Sequence, residues 1–115
     1  MKKIIKQLNE LSCIKSVDTP SMELISKIIY NLSTLNIKVL SYPKISTNFS
    51  GGISFKFTDT LIEFNENSSV EITTFEPHKF TVECINTDSP LGWDKVKSII
   101  TMSLATKKNQ NEKDN

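Results

Sequence analysis

A chain of 115 residues, 37% hydrophobic and 23% charged, suits one domain with its own core, and no apolar run approaches the roughly 20 residues of a membrane span. The net charge of +1 conceals a segregation, because residues 1–48 sum to +4, residues 49–88 to −5 and residues 89–115 to +2. All 14 basic residues are lysine. This counts against a protein that binds nucleic acid directly, because the planar guanidinium group of arginine is the preferred hydrogen-bond donor to phosphates and to guanine bases.

Apolar residues recur at helical spacing over residues 3–13, which predicts a short amphipathic helix. Lysine and glutamate interrupt this opening, so no signal-peptide apolar region forms, and we expect a cytoplasmic protein that does not enter a membrane. The two cysteines, Cys13 and Cys84, are far apart in the chain. Without an export signal, we expect two free, buried thiols rather than a disulfide.

Residues 18–23 carry the signals of a helix start. Thr19 can cap the helix, Pro20 suits its first position, and Glu23 falls in the positive first turn. The broad apolar stripe that follows predicts a helix laid on a sheet and ending near Asn36, a residue that tolerates the left-handed cap conformation.

Residues 37–42 are predicted to form a short strand or an extended arm that stops at Pro43. Residues 44–50 are polar and are predicted to be a loop, which makes them one candidate for partner contact. Gly51 and Gly52 then mark a tight connection into the next strand. They lack the lysine pattern of a phosphate-binding loop, so we assign them a hairpin or bulge role.

Alternating apolar and polar residues predict a four-stranded antiparallel meander, with strands at residues 53–57, 61–64, 70–76 and 79–85. The two-residue turn Pro77-His78 joins the last pair. The side chains predicted to face inward are Ile53, Phe55, Phe57, Ile62, Phe64, Val70, Ile72, Phe80, Val82 and Cys84. Those predicted to face outward are Ser54, Lys56, Leu61, Glu63, Glu71, Thr73, Phe75, Thr81, Glu83 and Ile85.

Ser89-Pro90 indicates a cap followed by a first-turn proline, and a last helix is predicted after it, anchored on the sheet by Trp93. Residues 107–115 are polar and are predicted to be a disordered tail. The expected fold is therefore one α+β domain over residues 1–106. It has a four- to five-stranded antiparallel sheet, with helices at both ends packed on one face.

No catalytic or metal motif stands out, and we expect neither a catalytic residue nor a cofactor. His78 is the single histidine and lies in a tight turn, while Cys84 is predicted to be a small inward-facing residue rather than a nucleophile. Zinc needs three or four close ligands, and these residues are scattered. Residues 65–69 carry oxygen ligands but lack the glycine and aspartate series of a calcium loop.

The negative charge of the meander falls on its predicted outer face. Glu63, Glu71 and Glu83 are expected there, with Glu66 in the adjoining turn. This cluster is interpreted either as a solvated surface or as a recognition surface for a basic partner. Phe75 and Ile85 would then be the apolar anchors of the interface, provided that they are exposed.

One stretch carries a resemblance to known proteins. Pro43, Gly51-Gly52-Ile53-Ser54-Phe55 and Leu61-Ile62-Glu63-Phe64, after a capped helix with an early proline, resemble small bacterial helix-then-meander proteins. The architecture is also similar to that of some immunity proteins that neutralise toxin domains. The resemblance covers roughly residues 19–64, implies the fold, and assigns no functional role to a particular residue.

The leading hypothesis is a non-enzymatic immunity protein or inhibitor, whose acidic sheet surface binds a basic toxin or nuclease domain without direct contact to nucleic acid. A phage-encoded inhibitor of a nucleic-acid-targeting defence complex is the first alternative. A homodimeric interaction module, built through the outer face or through edge strands, is the second. An enzyme of unknown type is disfavoured.

Overall fold

In the computed structural model, which describes residues 1–11, 13, 20–48 and 51–106, a five-stranded antiparallel sheet is preceded by two helices and followed by one. The elements are α1 Lys2–Leu11, α2 Met22–Ser33, β1 Lys44–Thr47, β2 Ile53–Lys56, β3 Thr60–Phe64, β4 Ser69–Glu76, β5 Lys79–Asn86 and α3 Pro90–Ala105. The strands lie side by side in chain order. The predicted α+β fold is confirmed.

The core lies between the helices and one sheet face, called here the inner face. Phe55 and Phe64 are fully buried on it, with ring centroids 5.1 Å apart in an edge-to-face arrangement. The half-buried indole of Trp93, on α3, stacks on Phe64 at 6.2 Å, so its predicted anchoring role is confirmed. Ile4 and Leu8 bury α1 in the same core, which ties the N-terminal helix to the domain.

The second helix begins later than the sequence pattern predicts. Ser21 is the N-cap, and its hydroxyl accepts a hydrogen bond from the Leu24 amide at 3.1 Å. Thr19, the predicted cap, lies outside the described residues, and Pro20 precedes the helix. The helix ends at Ser33 with Thr34 as its C-cap, rather than near Asn36. At the start of α3, Ser89 is the N-cap, as predicted.

The segment before the meander differs from its prediction. Residues 37–42 form no strand; the Leu40 and Ser41 amides instead donate to the Leu104 carbonyl, at 2.7 and 3.0 Å. These bonds satisfy a carbonyl that the end of α3 leaves without a helical partner. The first strand, β1, lies within the segment that was predicted to be a loop. Its polar sequence gives no strand signal, and it is a strand because pairing with β2 supplies its backbone hydrogen bonds.

The glycine pair shapes the β1–β2 connection as predicted. Gly51 has a φ of 76°, which favours glycine. The Gly52 amide donates to the Asn48 side-chain oxygen at 2.8 Å, and its carbonyl accepts from the Asn48 amide at 3.0 Å. A Cβ at residue 52 would overlap the carbonyl oxygen of Phe64 on β3. The two glycines therefore have a structural explanation.

Candidate functional site

The face of the sheet opposite the helices, called here the outer face, is left to solvent within the described part of the chain. The strand registers and the burial pattern define its members. They are Lys44, Ser46, Ser54, Lys56, Leu61, Glu63, Ser69, Glu71, Thr73, Phe75, Phe80, Val82, Cys84 and Asn86. A sheet with one packed and one solvated face has this alternation.

Two glutamates, called here the acidic pair, lie at the centre of the outer face. Glu63 on β3 is directly opposite Glu71 on β4, and the serine Ser54 and the thiol of Cys84 continue the same row on the flanking strands. Neither carboxylate makes an ion pair or a hydrogen bond with a described residue. Like charges directly opposite each other in a sheet repel, so this pair costs the fold some stability.

Glu66, which was also predicted as an acidic contact, has a structural role in the β3–β4 turn. Its carboxylate accepts from the Ser21 amide at 3.1 Å and from the Ser21 hydroxyl at 3.0 Å. A negative charge at the N-terminus of α2 is also favourable to the helix dipole. The side chain remains exposed and lines, with Glu71 and the turn polar groups, an open groove of about 400 Å³. Glu66 therefore adds charge beside the acidic pair while it holds α2 in place.

The outer face also carries a basic pair that the sequence pattern does not reveal. Lys44 on β1 is directly opposite Lys56 on β2. Lys56 is in turn diagonal to Glu63, since Leu61 is its direct partner on β3. The outer face is thus divided, with lysines on the first two strands and glutamates on the middle two.

An apolar patch, formed by Leu61, Phe75, Phe80 and Val82, extends over β3, β4 and β5 on the outer face. Phe75 is directly opposite Phe80, and their exposed fractions are 47% and 64%. Val82 is 53% exposed and lies in one row with Thr73 and Leu61. Large exposed apolar side chains that adjoin one another are typical of binding surfaces. Phe75 was predicted on this face, whereas Phe80 and Val82 were predicted in the core.

The predicted inward and outward sides of β5 are reversed. The two-residue turn pairs Glu76 with Lys79, so Phe75 and Phe80 must lie on the same face. The side chains of β5 then alternate from Phe80 onward, which places Val82 and Cys84 on the outer face as well. Ile85 is 6% exposed and packs in the core opposite Val70, so it cannot anchor a partner.

Glu83 accordingly faces the helix side of the sheet rather than the outer face. Its register partner is the buried Ile72, and its carboxylate forms an ion pair with Lys95 of α3. The predicted triad of glutamates therefore reduces to the acidic pair on one face and a separate charge on the other.

Candidate catalytic groups are not brought together. His78 is an exposed turn residue, and Cys84 lies six residues along β5, about 20 Å away at the usual rise of a strand. Cys13 and Cys84 are both free, as predicted, but both are exposed rather than buried. Among the described residues, no group of three histidine, cysteine or acidic side chains is placed to hold a metal ion.

One further groove, of about 420 Å³, lies between α3 and the inner face. Thr60 donates to the Asp59 carboxylate at 3.0 Å on one wall, and the exposed Met102 lies on the other. Its second carboxylate, Glu83, is engaged by Lys95, so the groove presents hydroxyls and a thioether without an acid–base pair.

None of the described helices is long and apolar enough to cross a membrane. No family model matches the chain, and no curated protein and no solved structure matches it.

Proposed function

We propose that the protein is a non-enzymatic inhibitor, of the immunity-protein type, that binds a basic toxin or nuclease domain through the acidic part of its outer face. One observation carries this proposal: Glu63 and Glu71 are directly opposite each other and have no cationic partner in the described part of the chain. Their mutual repulsion lowers stability in the free protein. A lysine or arginine from a partner would remove it on binding.

The chemistry of such a partner follows from the surface. Enzymes that cleave nucleic acid hold phosphates with basic side chains, so an acidic face can occupy the place of the substrate and block it. Complementary charge speeds the encounter and selects the partner. Phe75 supplies an apolar contact beside the charges, about 13 Å from Glu71 along β4. The basic pair at the other end of the face would bias the orientation of the partner.

A capture experiment with face-specific variants tests the proposal. The wild-type protein, the double variant Glu63→Lys/Glu71→Lys and the control Glu10→Lys, at an exposed glutamate of α1, are immobilised and exposed to host lysate, and captured proteins are identified by mass spectrometry. We expect basic proteins that are retained by the wild type and by the control but lost with the double variant, at low salt most clearly. Equal capture by all three variants would refute the acidic-face proposal.

The phage-encoded inhibitor of a defence complex would use the same surface. The genomic neighbourhood separates the two, because an immunity gene should follow a toxin gene.

A homodimeric interaction module is a second candidate function. It is favoured by a different observation, the long outermost strand β5 with its apolar outer-face side chains.

A further inference from the structure

Strand β5 ends the sheet with an open edge. It is eight residues long, and in the described part of the chain it pairs with β4 alone. The Thr87 amide donates to the Ser68 carbonyl, which continues the β4–β5 ladder by one residue. Because the direction of backbone groups alternates along an antiparallel strand, the amides and carbonyls of Phe80, Val82 and Cys84 point away from β4. Among the residues that the structure describes, no further strand pairs with these outward backbone groups.

Sheet proteins usually protect such an edge with proline, a bulge, a very short strand or charged side chains. Between Lys79 and Asn86 there is no proline, and the register with β4 runs without a bulge. The charged residues at this edge are Lys79 and Glu83, which have opposite signs and are four residues apart. Each also has an ion-pair partner within the chain, Glu76 at 3.7 Å for Lys79 and Lys95 for Glu83, but both side chains stay half-exposed or more and can accept a second contact. An antiparallel copy of the strand can therefore match them against each other.

We propose that β5 pairs with β5 of a second copy of this chain, antiparallel about a two-fold axis at Thr81, to form a continuous ten-stranded sheet. In this register Lys79 lies opposite Glu83 of the second copy, and by symmetry the contact occurs twice. Phe80 lies opposite Val82 of the second copy, also twice, and aromatic with β-branched pairs are favourable across strands. The backbone amides and carbonyls of Phe80 and Val82 that point away from β4 can then form hydrogen bonds with those of the second copy.

The alternative symmetric registers are worse matched. When a two-fold axis relates two paired strands, the axis must pass beside one residue that lies opposite its own copy. The reason is that directly opposite side chains lie on the same face of the sheet. Centring on Glu83 places two carboxylates against each other. Centring on Val82 places Lys79 opposite Ile85 and Phe80 opposite Cys84, so neither the charges nor the large apolar groups are matched. Thr81 is the centre that matches both.

The apolar patch gives a second argument for the same register. On each copy, Leu61, Thr73 and Val82 form one row across β3, β4 and β5, and Phe75 and Phe80 form the next. Pairing about Thr81 joins the first row of one copy to the second row of the other. Each combined row is then uncharged from Leu61 on β3 of one copy to Phe75 on β4 of the other, although Lys56 continues it on β2. The inference is independent of the acidic-face proposal, because Glu63 and Glu71 stay exposed on the same face of the dimer.

A charge swap tests both the dimer and its register by sedimentation equilibrium of the full chain. Since two paired strands bury less than a standard interface, we expect a dimer of about micromolar affinity. Lys79→Glu and Glu83→Lys should each weaken it about tenfold or more, since each creates two like-charge contacts. The double variant should recover most of the loss, and Lys38→Glu, an exposed lysine outside the sheet, should have no effect.

Cross-linking reads the register directly. In a Cys13→Ser/Cys84→Ser background, Thr81→Cys should form an intermolecular disulfide on mild oxidation, because opposite Cα atoms of a pair without mutual hydrogen bonds lie about 4.5 Å apart. Val82→Cys should not. A strict monomer at high concentration overturns the inference, as does a dimer that is insensitive to the charge variants or that cross-links through residue 82 alone. Circular dichroism of each variant confirms that it is folded.

Discussion

Neutralising either member of the acidic pair should make the free protein more stable. Glu63 and Glu71 are directly opposite on β3 and β4, and neither has a cationic partner among the described residues. With Cβ atoms about 5 Å apart and carboxylates at roughly 6 Å, their repulsion in water is about 0.7 kcal/mol. Screening at an ionic strength of about 0.1 M reduces it to about 0.4 kcal/mol.

The assay is a double-mutant cycle in urea, followed by Trp93 fluorescence, since the indole stacks on Phe64 in the core. Glu63→Gln and Glu71→Gln should each raise the free energy of unfolding by about 0.2–1 kcal/mol, and the double variant should gain little more. The gain should be larger at about 0.01 M salt and nearly vanish at about 1 M.

The matched control is Glu23→Gln, the same chemical change at another exposed carboxylate. Glu23 lies in the first turn of α2 and pairs with Lys27 at 3.1 Å, so its neutralisation should lower stability by about 0.3–1 kcal/mol. A destabilising Glu71→Gln, or a gain that is independent of salt, would show that the pair is not repulsive. The acidic pair would then provide no electrostatic reason for a cationic partner to bind there.

Three other substitutions test the fold that positions the outer face, each by urea denaturation. Gly52→Ala should cost at least about 2 kcal/mol, because the new methyl overlaps the backbone of Phe64; a neutral result would contradict this β1–β2 geometry. Ser21→Ala should cost about 1 kcal/mol through loss of the cap, and an unchanged midpoint would place the start of α2 elsewhere. Ile85→Ala should cost about 2–5 kcal/mol, while Phe80→Ala should change stability by at most about 1 kcal/mol. A larger loss for Phe80→Ala than for Ile85→Ala would show that Phe80, not Ile85, faces the core.

The strands of the meander could be predicted from the sequence because alternation is a local property. All four predicted strands are present, and each end agrees within one residue. The side chains of β2 and β4 that face the core could also be predicted, since Phe55 and Ile72 lie between polar neighbours. On β3, Glu63 between Ile62 and Phe64 gives the same information. Along β5 the alternation favours the wrong face, because its even positions are more apolar than its odd ones. The length of the turn decides which side chains of β5 face the core, because a two-residue turn places Phe80 on the same face as Phe75.

Other features depend on contacts between distant segments. β1 has a polar sequence and is a strand because β2 pairs with it. The Leu40 and Ser41 amides donate hydrogen bonds to the Leu104 carbonyl near the end of α3. The Glu66 contact with Ser21 joins two residues 45 apart in the chain. The sum of the charges over residues 49–88 indicates only that the meander as a whole is acidic. It could not separate Glu83 from Glu71, because net charge contains no information on which face a side chain occupies.

Two charge reversals on adjacent strands test whether the outer face binds a basic partner. Glu71 and Glu83 lie one register step apart, on opposite faces of the sheet. With a purified captured partner, at concentrations at which the wild type and both variants are monomeric, calorimetric titration should show that Glu71→Lys weakens binding about tenfold or more, while Glu83→Lys leaves the dissociation constant within about twofold of the wild type. Equal effects of the two variants, or a larger effect of Glu83→Lys, would contradict the assignment of the partner to the outer face.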